Sequence, residues 1–213
     1  LYTSDVLKAF KSKYEPLINS AVQDKQAIGQ QLKAQEDSLA KKYGAEIPFL
    51  RPPQLSRDVP SERVILHAVR WLESHKYPVK IAVTLQPTTP LIRPADIDAC
   101  VRALVDHEAE SAITVTIVKT SPLWMYYRYE DGGMEQYAPG DMSGKRGIRQ
   151  QLRTLYRPNG AVYATDRNYL MQKHRIIGER CYGVVMPELL SLDVDSEADF
   201  LILEALIKEK IVP

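Results

Sequence analysis

The chain has 213 residues, of which 28 are basic and 27 acidic, so its net charge is only +1. This balance provides no basic surface for nucleic acid or for an acidic membrane, and we expect neither as a partner. No apolar run approaches the roughly 20 residues that a membrane-spanning helix needs, and no signal-peptide core precedes the first predicted helix. The two cysteines, Cys100 and Cys181, lie far apart without a partner spacing, so we expect two reduced thiols in a cytoplasmic protein, with a single disulfide as the alternative. The chain begins at Leu1 rather than Met, and we expect further sequence upstream.

The first part of the chain, residues 1–43, is rich in Lys, Gln, Ala and Ser and contains no strand-like run. A sparse apolar stripe at helical spacing predicts a long amphipathic helix from about Leu17 to Tyr43, with Gly44 ending it. The pattern leaves open whether this helix packs on a neighbouring element or forms a coiled-coil arm. We predict a helical N-terminal segment over residues 1–43 and an α/β domain over residues 44–213.

From residue 44 onward, strand-like and helix-like patterns alternate, which favours a three-layer α/β fold with a mostly parallel sheet. Residues 121–150 are rich in glycine and look irregular. The predicted strands are Lys80–Leu85, Ser111–Val118, Ala161–Thr165 and Tyr182–Met186, and the predicted helices are Ser61–His75, one opened by Pro94, and one from about Glu197 to Lys210.

A pair of acidic residues, Asp193 and Asp195, lies where a strand is predicted to give way to the last helix. In an extended chain, residues i and i+2 project from the same face, so both carboxylates can reach one hard cation such as Mg²⁺. The alternative is an acidic loop without a metal. Asp199 differs from the pair, because Ser196 and Asp199 have the spacing of a capping box and we expect a structural role.

The segment Leu85–Leu91 (Leu-Gln-Pro-Thr-Thr-Pro-Leu) follows a predicted buried strand and precedes a helix. The Gln86 amide can both donate and accept, as recognition of a sugar hydroxyl or an amide requires. Two prolines restrict the loop and limit the entropy lost on binding. Alternatively, the segment is only a strand-exit turn in which Thr88 and Thr89 hydrogen-bond their own backbone.

Two arginines, Arg149 and Arg157, bracket the segment from Arg149 to Ala161. Guanidinium groups stay charged and match carboxylates or phosphates with a planar fork of donors. Either residue could therefore hold a sugar-acid carboxylate or a triphosphate, or could be an ordinary surface cation.

The motifs Leu85–Leu91, Arg149–Leu152 with Tyr156–Ala161, and Leu192–Asp195 occur in the order found in a known family. Together they resemble the CMP-sialic acid synthetases (acylneuraminate cytidylyltransferases), and the resemblance runs from about Lys42 to the C-terminus. It implies a nucleotide-diphospho-sugar transferase-like (Rossmann-like) fold. It also implies transfer of CMP from CTP to a nonulosonic acid with release of pyrophosphate, by a homodimer that pairs through residues 121–150.

The same resemblance implies the roles of individual residues, with Mg²⁺ held by Asp193 and Asp195. The family's phosphate-gripping loop, rich in Arg, Gly, Ser and Lys, is not found in residues 1–41. A catalytically inactive relative, which binds a sugar acid or nucleotide or serves as a dimeric scaffold, is therefore the alternative. The implied catalytic residues are Asp193, Asp195 and Arg149, and the implied substrate-binding residues are Gln86, Thr88, Arg149, Gln150, Arg157, Asn159 and Arg51.

Overall fold

The computed structural model describes residues 42, 45–49, 51–55, 59–138 and 152–212. The chain divides into two compact units, Leu1–Val64 and Ile65–Pro213. The long helix predicted over residues 17–43 lies outside the described residues, except for Lys42, which is helical. The predicted division into a helical segment over residues 1–43 and an α/β domain over residues 44–213 stays a prediction.

In the first unit, residues 45–49 and 51–52 form no strand. A short 3-10 turn, Pro53–Leu55, follows them, and the Leu55 N–H donates to the Pro52 carbonyl at 2.9 Å. Consecutive prolines remove backbone donors and restrict the residue before them, so this stretch is unsuited to a sheet ladder.

The second unit is built on a four-stranded sheet of order β1-β5-β2-β6. β5 pairs antiparallel with both β1 and β2, whereas β2 pairs parallel with β6. Three of the four strands therefore run in one direction, and the predicted α/β fold with a mostly parallel sheet is confirmed. No helix in the described part of the chain is long and apolar enough to span a membrane. The strands are β1 (Ile81–Leu85), β2 (Ser111–Ile117), β3 (Tyr126–Arg128), β4 (Met134–Gln136), β5 (Tyr156–Asp166) and β6 (Cys181–Val185), and the helices are α1 (Ser61–Ser74), α2 (Pro94–Asp106), α3 (Arg167–Lys173) and α4 (Glu197–Lys208).

The core is centred on β2, whose first six residues are all buried. This strand has a sheet neighbour on each side, and such strands are near-continuous apolar and β-branched runs rather than alternating ones. Beside the sheet, α1 packs Leu66 and Val69 against Leu170 of α3, which is fully buried. The spacing of three residues between Leu66 and Val69 places both on one helical face.

The middle of β5 contains a large bulge. Ile113 of β2 is in register with Tyr163, but Val115 is in register with Pro158, so two steps along β2 correspond to five along β5. The extra residues include Asn159 and Gly160. Bulges bend a strand and re-aim its side chains, and they are common beside functional sites.

The glycine-rich stretch predicted to be irregular contains a short hairpin. β3 and β4 pair antiparallel, with Tyr126 in register with Gln136. Gly132 has φ +91° and the Gly133 N–H donates to the Asp131 carboxylate at 2.9 Å in the turn between them. Asp-Gly at the tip is a common hairpin signal, so irregularity was the wrong expectation for these residues. Residues 139–150 lie outside the described chain.

The last helix begins as the sequence predicts. The Ser196 Oγ accepts from the Asp199 N–H at 3.3 Å, and the Asp199 carboxylate accepts from the Ser196 N–H at 2.9 Å. These two bonds form a capping box, and they satisfy backbone donors that the first helical turn would leave unpaired. The structural role expected for Asp199 is confirmed.

Candidate active site

The loops that carry the predicted motifs leave the same edge of the sheet. Because β1, β2 and β6 run in one direction, their carboxyl ends lie together, and ligands of α/β sheets bind beyond such ends. Gln86 directly follows β1, and Asp193 follows β6 after a 3-10 turn, Glu188–Ser191. The first half of the opposing strand β5 reaches the same edge, and it carries Asn159 and Gly160.

Gly160 is the point at which the motifs meet. It has φ +79°, and a Cβ built on it would lie 3.0 Å from Gln86 Oε1, 3.5 Å from Thr89 Cγ2 and 3.8 Å from Asp193 Oδ2. Residues more than a hundred positions apart in sequence therefore share one small volume. The missing side chain gives Gln86 and Asp193 this close approach, and glycine also relieves the strain of a positive φ.

Backbone hydrogen bonds hold the two loops against each other. The Val194 N–H donates to the Thr88 carbonyl at 2.8 Å. Within the first loop, the Thr89 N–H and hydroxyl both donate to the Gln86 carbonyl, at 3.2 and 2.9 Å. Thr89 is fully buried, so the turn that the sequence left as an alternative is present, and it fixes the backbone from which the Gln86 side chain projects.

Asn159 lies inside the protein rather than in the open cleft. It is 1% exposed, its amide nitrogen donates to Ser191 Oγ at 2.8 Å, and its amide oxygen accepts from the Ala161 N–H at 3.2 Å. The Ser191 hydroxyl in turn donates to the Pro187 carbonyl at 2.9 Å. The amide is thus engaged at both ends by protein groups, which connects β5 to the turn before Asp193.

Asp193 is partly buried, and its carboxylate is incompletely hydrogen-bonded within the described residues. Its Oδ1 is buried and has no hydrogen-bond partner among the described residues, an arrangement that proteins normally avoid. Burial, and then the charge of Asp193, raise the pKa of Tyr163 on β5. Asp195 is exposed to solvent.

The carboxylate pair suits Mg²⁺ in kind. The described part of the chain has no group of three or more His, Cys, Asp or Glu side chains that could enclose a metal. Mg²⁺, however, commonly uses one or two carboxylates and completes its shell with water and substrate phosphates. The unpartnered Asp193 Oδ1 and the exposed Asp195 fit that mode, and the role of both residues as ligands stays a prediction.

Of the predicted arginines, Arg157 alone lies among the described residues of the second unit. Arg157 is exposed on β5, in register with Thr116, and its guanidinium donates to the Pro158 carbonyl at 3.3 Å. Arg149 and Gln150 lie outside the described residues. Arg51 is exposed and belongs to the first unit. The substrate-binding roles of these four residues stay predictions.

A cavity of about 230 Å³ opens beyond the carboxyl end of β2. Lys119, on its wall, forms an ion pair with Glu188 in the turn that also contains Ser191. Arg153 adds a second cation to the wall. The cavity is lined by Ile117, Val118, Lys119, Ser121, Trp124, Leu152, Arg153, Thr154 and Leu155.

Sequence reasoning missed two contributors to the site: Tyr163 and Ser191. Ser191 acts through a buried hydrogen bond to Asn159, which composition and spacing do not reveal. Tyr163 could have been noticed, because it follows the Asn-Gly turn by three residues on the same strand.

Comparisons with curated proteins find relatives that match most or part of this chain. The chain is 28% identical over 174 residues to the post-translational flagellin modification protein B of Campylobacter coli, covering 81% of this chain and 72% of that protein. It is 27% identical over 175 residues to the CMP-N,N'-diacetyllegionaminic acid synthase of Campylobacter jejuni, covering 81% and 73%. An N-acylneuraminate cytidylyltransferase of Streptococcus agalactiae is 28% identical over 120 residues, covering 56% of this chain and 28% of that protein.

Among solved structures, the CMP:2-keto-3-deoxy-manno-octonic acid synthetase complexed with CTP has a similar fold, with a TM-score of 0.51 at 16% identity. The match covers 88% of this chain and 79% of that one. No family model matches the sequence. The curated relatives support a nucleotidyltransferase of the cytidylyltransferase class, and the solved structure supports the fold. The curated relatives support the CMP-sialic acid synthetase family, so the family predicted from the motifs is confirmed.

Proposed function

We propose that the protein transfers CMP from CTP to a nonulosonic acid and releases pyrophosphate. The observation that carries the proposal is the meeting of Gln86, Thr89 and Asp193 around Gly160 at the carboxyl edge of the sheet. The named activities of the relatives from Campylobacter jejuni and Streptococcus agalactiae support the reaction class. A sugar acid with acylated amino groups is the kind of acceptor that the first of these names specifies.

In the proposed reaction, the anomeric hydroxyl of the sugar acid attacks the α-phosphorus of CTP. A new bond forms between the α-phosphorus and the sugar oxygen, and the bond from the α-phosphorus to the oxygen that bridges to the β-phosphate breaks. Pyrophosphate departs with the electron pair, and the hydroxyl proton is released to water. Gln86 would orient the acceptor through its amide, which can both donate and accept. Arg149, by the motif, would hold the carboxylate of the sugar acid as a planar partner.

Asp193 and Asp195 are the residues that would hold Mg²⁺ in this site. When bound, Mg²⁺ would supply positive charge to the phosphate oxygens on which negative charge develops. The carboxylate of Asp193 is half-buried beside Gly160, so its charge is poorly screened by water and attracts a cation strongly. Thr88 contributes its backbone carbonyl, which keeps the Asp193 loop against the Gln86 loop.

We also propose a cytoplasmic homodimer. Its contact region would include the hairpin of β3 and β4, where large apolar side chains are concentrated at the surface. Exposed apolar clusters of this kind commonly mark interaction sites. The exposed side chains are Met125, Tyr126, Tyr127, Tyr129, Met134 and Tyr137.

The test is a pyrophosphate-release assay on the full-length protein with CTP, Mg²⁺ and a panel of sialic, legionaminic, pseudaminic and eight-carbon keto-sugar acids. We expect release with at least one acceptor and a loss of about 100-fold or more in Asp193→Asn. Asp98→Asn is the matched control, because it removes one carboxylate from the exposed surface of α2, and we expect activity within about twofold.

Silence across the whole panel, with CTP binding retained in calorimetry, would reject catalysis and favour the alternative of an inactive nucleotide-binding relative. Equal activity of Asp193→Asn and the unchanged protein would instead reject the assigned site while leaving the reaction in place.

A further inference from the structure

The buried polar link between β5 and the turn before Asp193 has no role in the reaction as proposed above. Three hydrogen bonds form it: Asn159 to Ser191, Ser191 to the Pro187 carbonyl, and the Ala161 N–H to Asn159. Asn159 is 1% exposed and Ser191 is 3% exposed. The Asn159 amide also donates to Met186 Sδ at 3.3 Å, and the Pro187 carbonyl also accepts from the Leu190 N–H at 3.1 Å, so the link is part of a buried hydrogen-bonded network.

Asp193 lies between two fixed points of the backbone. Ser191, two residues before it, is bonded to β5, and Val194, one residue after it, is bonded to the Thr88 carbonyl. Its own Oδ1 has no partner within the described part of the chain. Because no hydrogen bond of that oxygen holds the carboxylate, its direction depends on the two backbone anchors on either side.

The two anchors also join different loops. The bond from Asn159 to Ser191 holds the Asp193 loop against β5. The bond from the Val194 N–H to the Thr88 carbonyl holds the same loop against the loop that carries Gln86. The close approach of Gln86 and Asp193 at Gly160 therefore requires both anchors at once. Loss of either would let the Asp193 loop rotate about the remaining one.

We propose that Asn159 and Ser191 are positioning residues that hold the unpartnered carboxylate oxygen of Asp193 toward a divalent cation. This inference rests on the proposed function for the identity of the cation. The Asn159 amide is engaged by protein at both ends, so its contribution passes through Asp193 rather than through contact with substrate.

The test uses Ser191→Ala, which removes the central hydroxyl, with Ser111→Ala as the matched control. Ser111 is also a fully buried serine whose Oγ accepts one backbone hydrogen bond, from the Gly178 N–H at 2.9 Å. It begins β2, at the opposite end of that strand from the site. Both variants lose one buried hydroxyl; Ser191→Ala removes two hydrogen bonds of that hydroxyl and Ser111→Ala removes one. Thermal unfolding compares their stabilities.

Two readouts separate positioning from general stability. The first is hydrogen exchange of the Val194 amide, which we expect to accelerate about tenfold in Ser191→Ala and less than twofold in Ser111→Ala. The second is the dissociation constant of Mn²⁺ in the presence of CTP, measured by electron paramagnetic resonance. We expect it to rise about tenfold in Ser191→Ala alone, the lower end of the effect of outer-shell partners on metal sites.

Equal Val194 exchange in the two variants overturns the proposal, and so does faster exchange with unaltered Mn²⁺ affinity. Failure of the proposed function has a different signature. If Asp193→Asn binds Mn²⁺ with CTP as tightly as the unchanged protein, the assigned metal site is wrong, and the Val194 exchange alone decides whether the pair positions the loop.

Discussion

Replacement of Gly160 by alanine tests whether the proposed site needs the space that this glycine leaves for the Gln86 side chain. Gly160 has φ +79°, and the added Cβ would lie 3.0 Å from Gln86 Oε1. An L-residue in the left-handed region costs roughly 1–2 kcal/mol, offset by about 0.4–1 kcal/mol because alanine lowers the entropy of the unfolded chain. The net loss of stability is about 1 kcal/mol, which for a chain of this size lowers Tm by about 2–4 °C.

The effect on activity is larger than the effect on stability. A contact at 3.0 Å forces the end of the Gln86 side chain to move, and a misplacement of about 1 Å in a positioning group can cost about 100-fold. We expect Gly160→Ala to lower kcat/KM for the sugar acid by 10-fold or more, equivalent to about 1.4 kcal/mol or more. KM for CTP should change less, because Gln86 is assigned to the acceptor.

Gly132→Ala provides the control. Gly132 also has a positive φ, +91°, but a Cβ there meets only Arg128 Nη2 at 3.8 Å, in the turn of the hairpin. Backbone strain alone therefore predicts similar losses of Tm in both variants, with activity preserved in Gly132→Ala. Indistinguishable steady-state kinetics of the two variants would refute the reasoning from the close approach at Gly160.

Three further changes test the fold, its pH dependence and the proposed assembly. Leu170→Ala should destabilise the protein by about 3 kcal/mol in chemical denaturation, because it empties a fully buried site; a loss below about 1 kcal/mol would contradict the packing. Burial raises the pKa of Asp96, but hydrogen bonds from Arg93 lower it by more, so the pKa lies below its ordinary value. Its contribution is present above about pH 4 and is lost as pH falls through the folded pKa, so Asp96→Asn should be less stable at pH 7 and converge with the unchanged protein in acid. A gap that persists undiminished at pH 2 would contradict that assignment. Tyr127→Asp should shift the protein toward monomer in light scattering, whereas Tyr77→Asp, at a similarly exposed tyrosine, should not; equal behaviour would count against the hairpin as the contact.

The sequence predicted two kinds of element well: helices whose first residues are typical of a helix start, and a strand that is buried on both faces. The helix opened by Pro94 and the helix capped by Ser196 begin where those residues predict, because the caps satisfy backbone donors within one turn. β2 was readable as a strand because a run of β-branched residues buried on both faces needs no partner information to be recognised. These signals are local, so they do not depend on how the rest of the chain folds.

β5 shows where local signals failed. The sequence predicted a strand only from Ala161, but β5 begins at Tyr156, and the missed part contains Pro158 and Gly160. Proline is excluded from the middle of a sheet because it lacks an N–H. β1 pairs only with residues from Val162 onward, so Pro158 faces a single neighbour and lies at a local edge of the sheet. That edge depends on the length of another strand, which local sequence patterns do not report.

The same dependence explains why the meeting of the motifs could be predicted while its supporting contacts could not. Three strands running in one direction place the loops after them at one edge, which agrees with the shared site that the family resemblance implied for Gln86 and Asp193. The bulge that turns Asn159 inward toward Ser191 arises because five steps along β5 correspond to two along β2. A pairing mismatch of this kind is a property of two strands together. Regular alternation would place successive β5 side chains on opposite faces, and the bulge interrupts that alternation between Pro158 and Tyr163, so the position of the Asn159 amide follows from the mismatch rather than from its place in the motif.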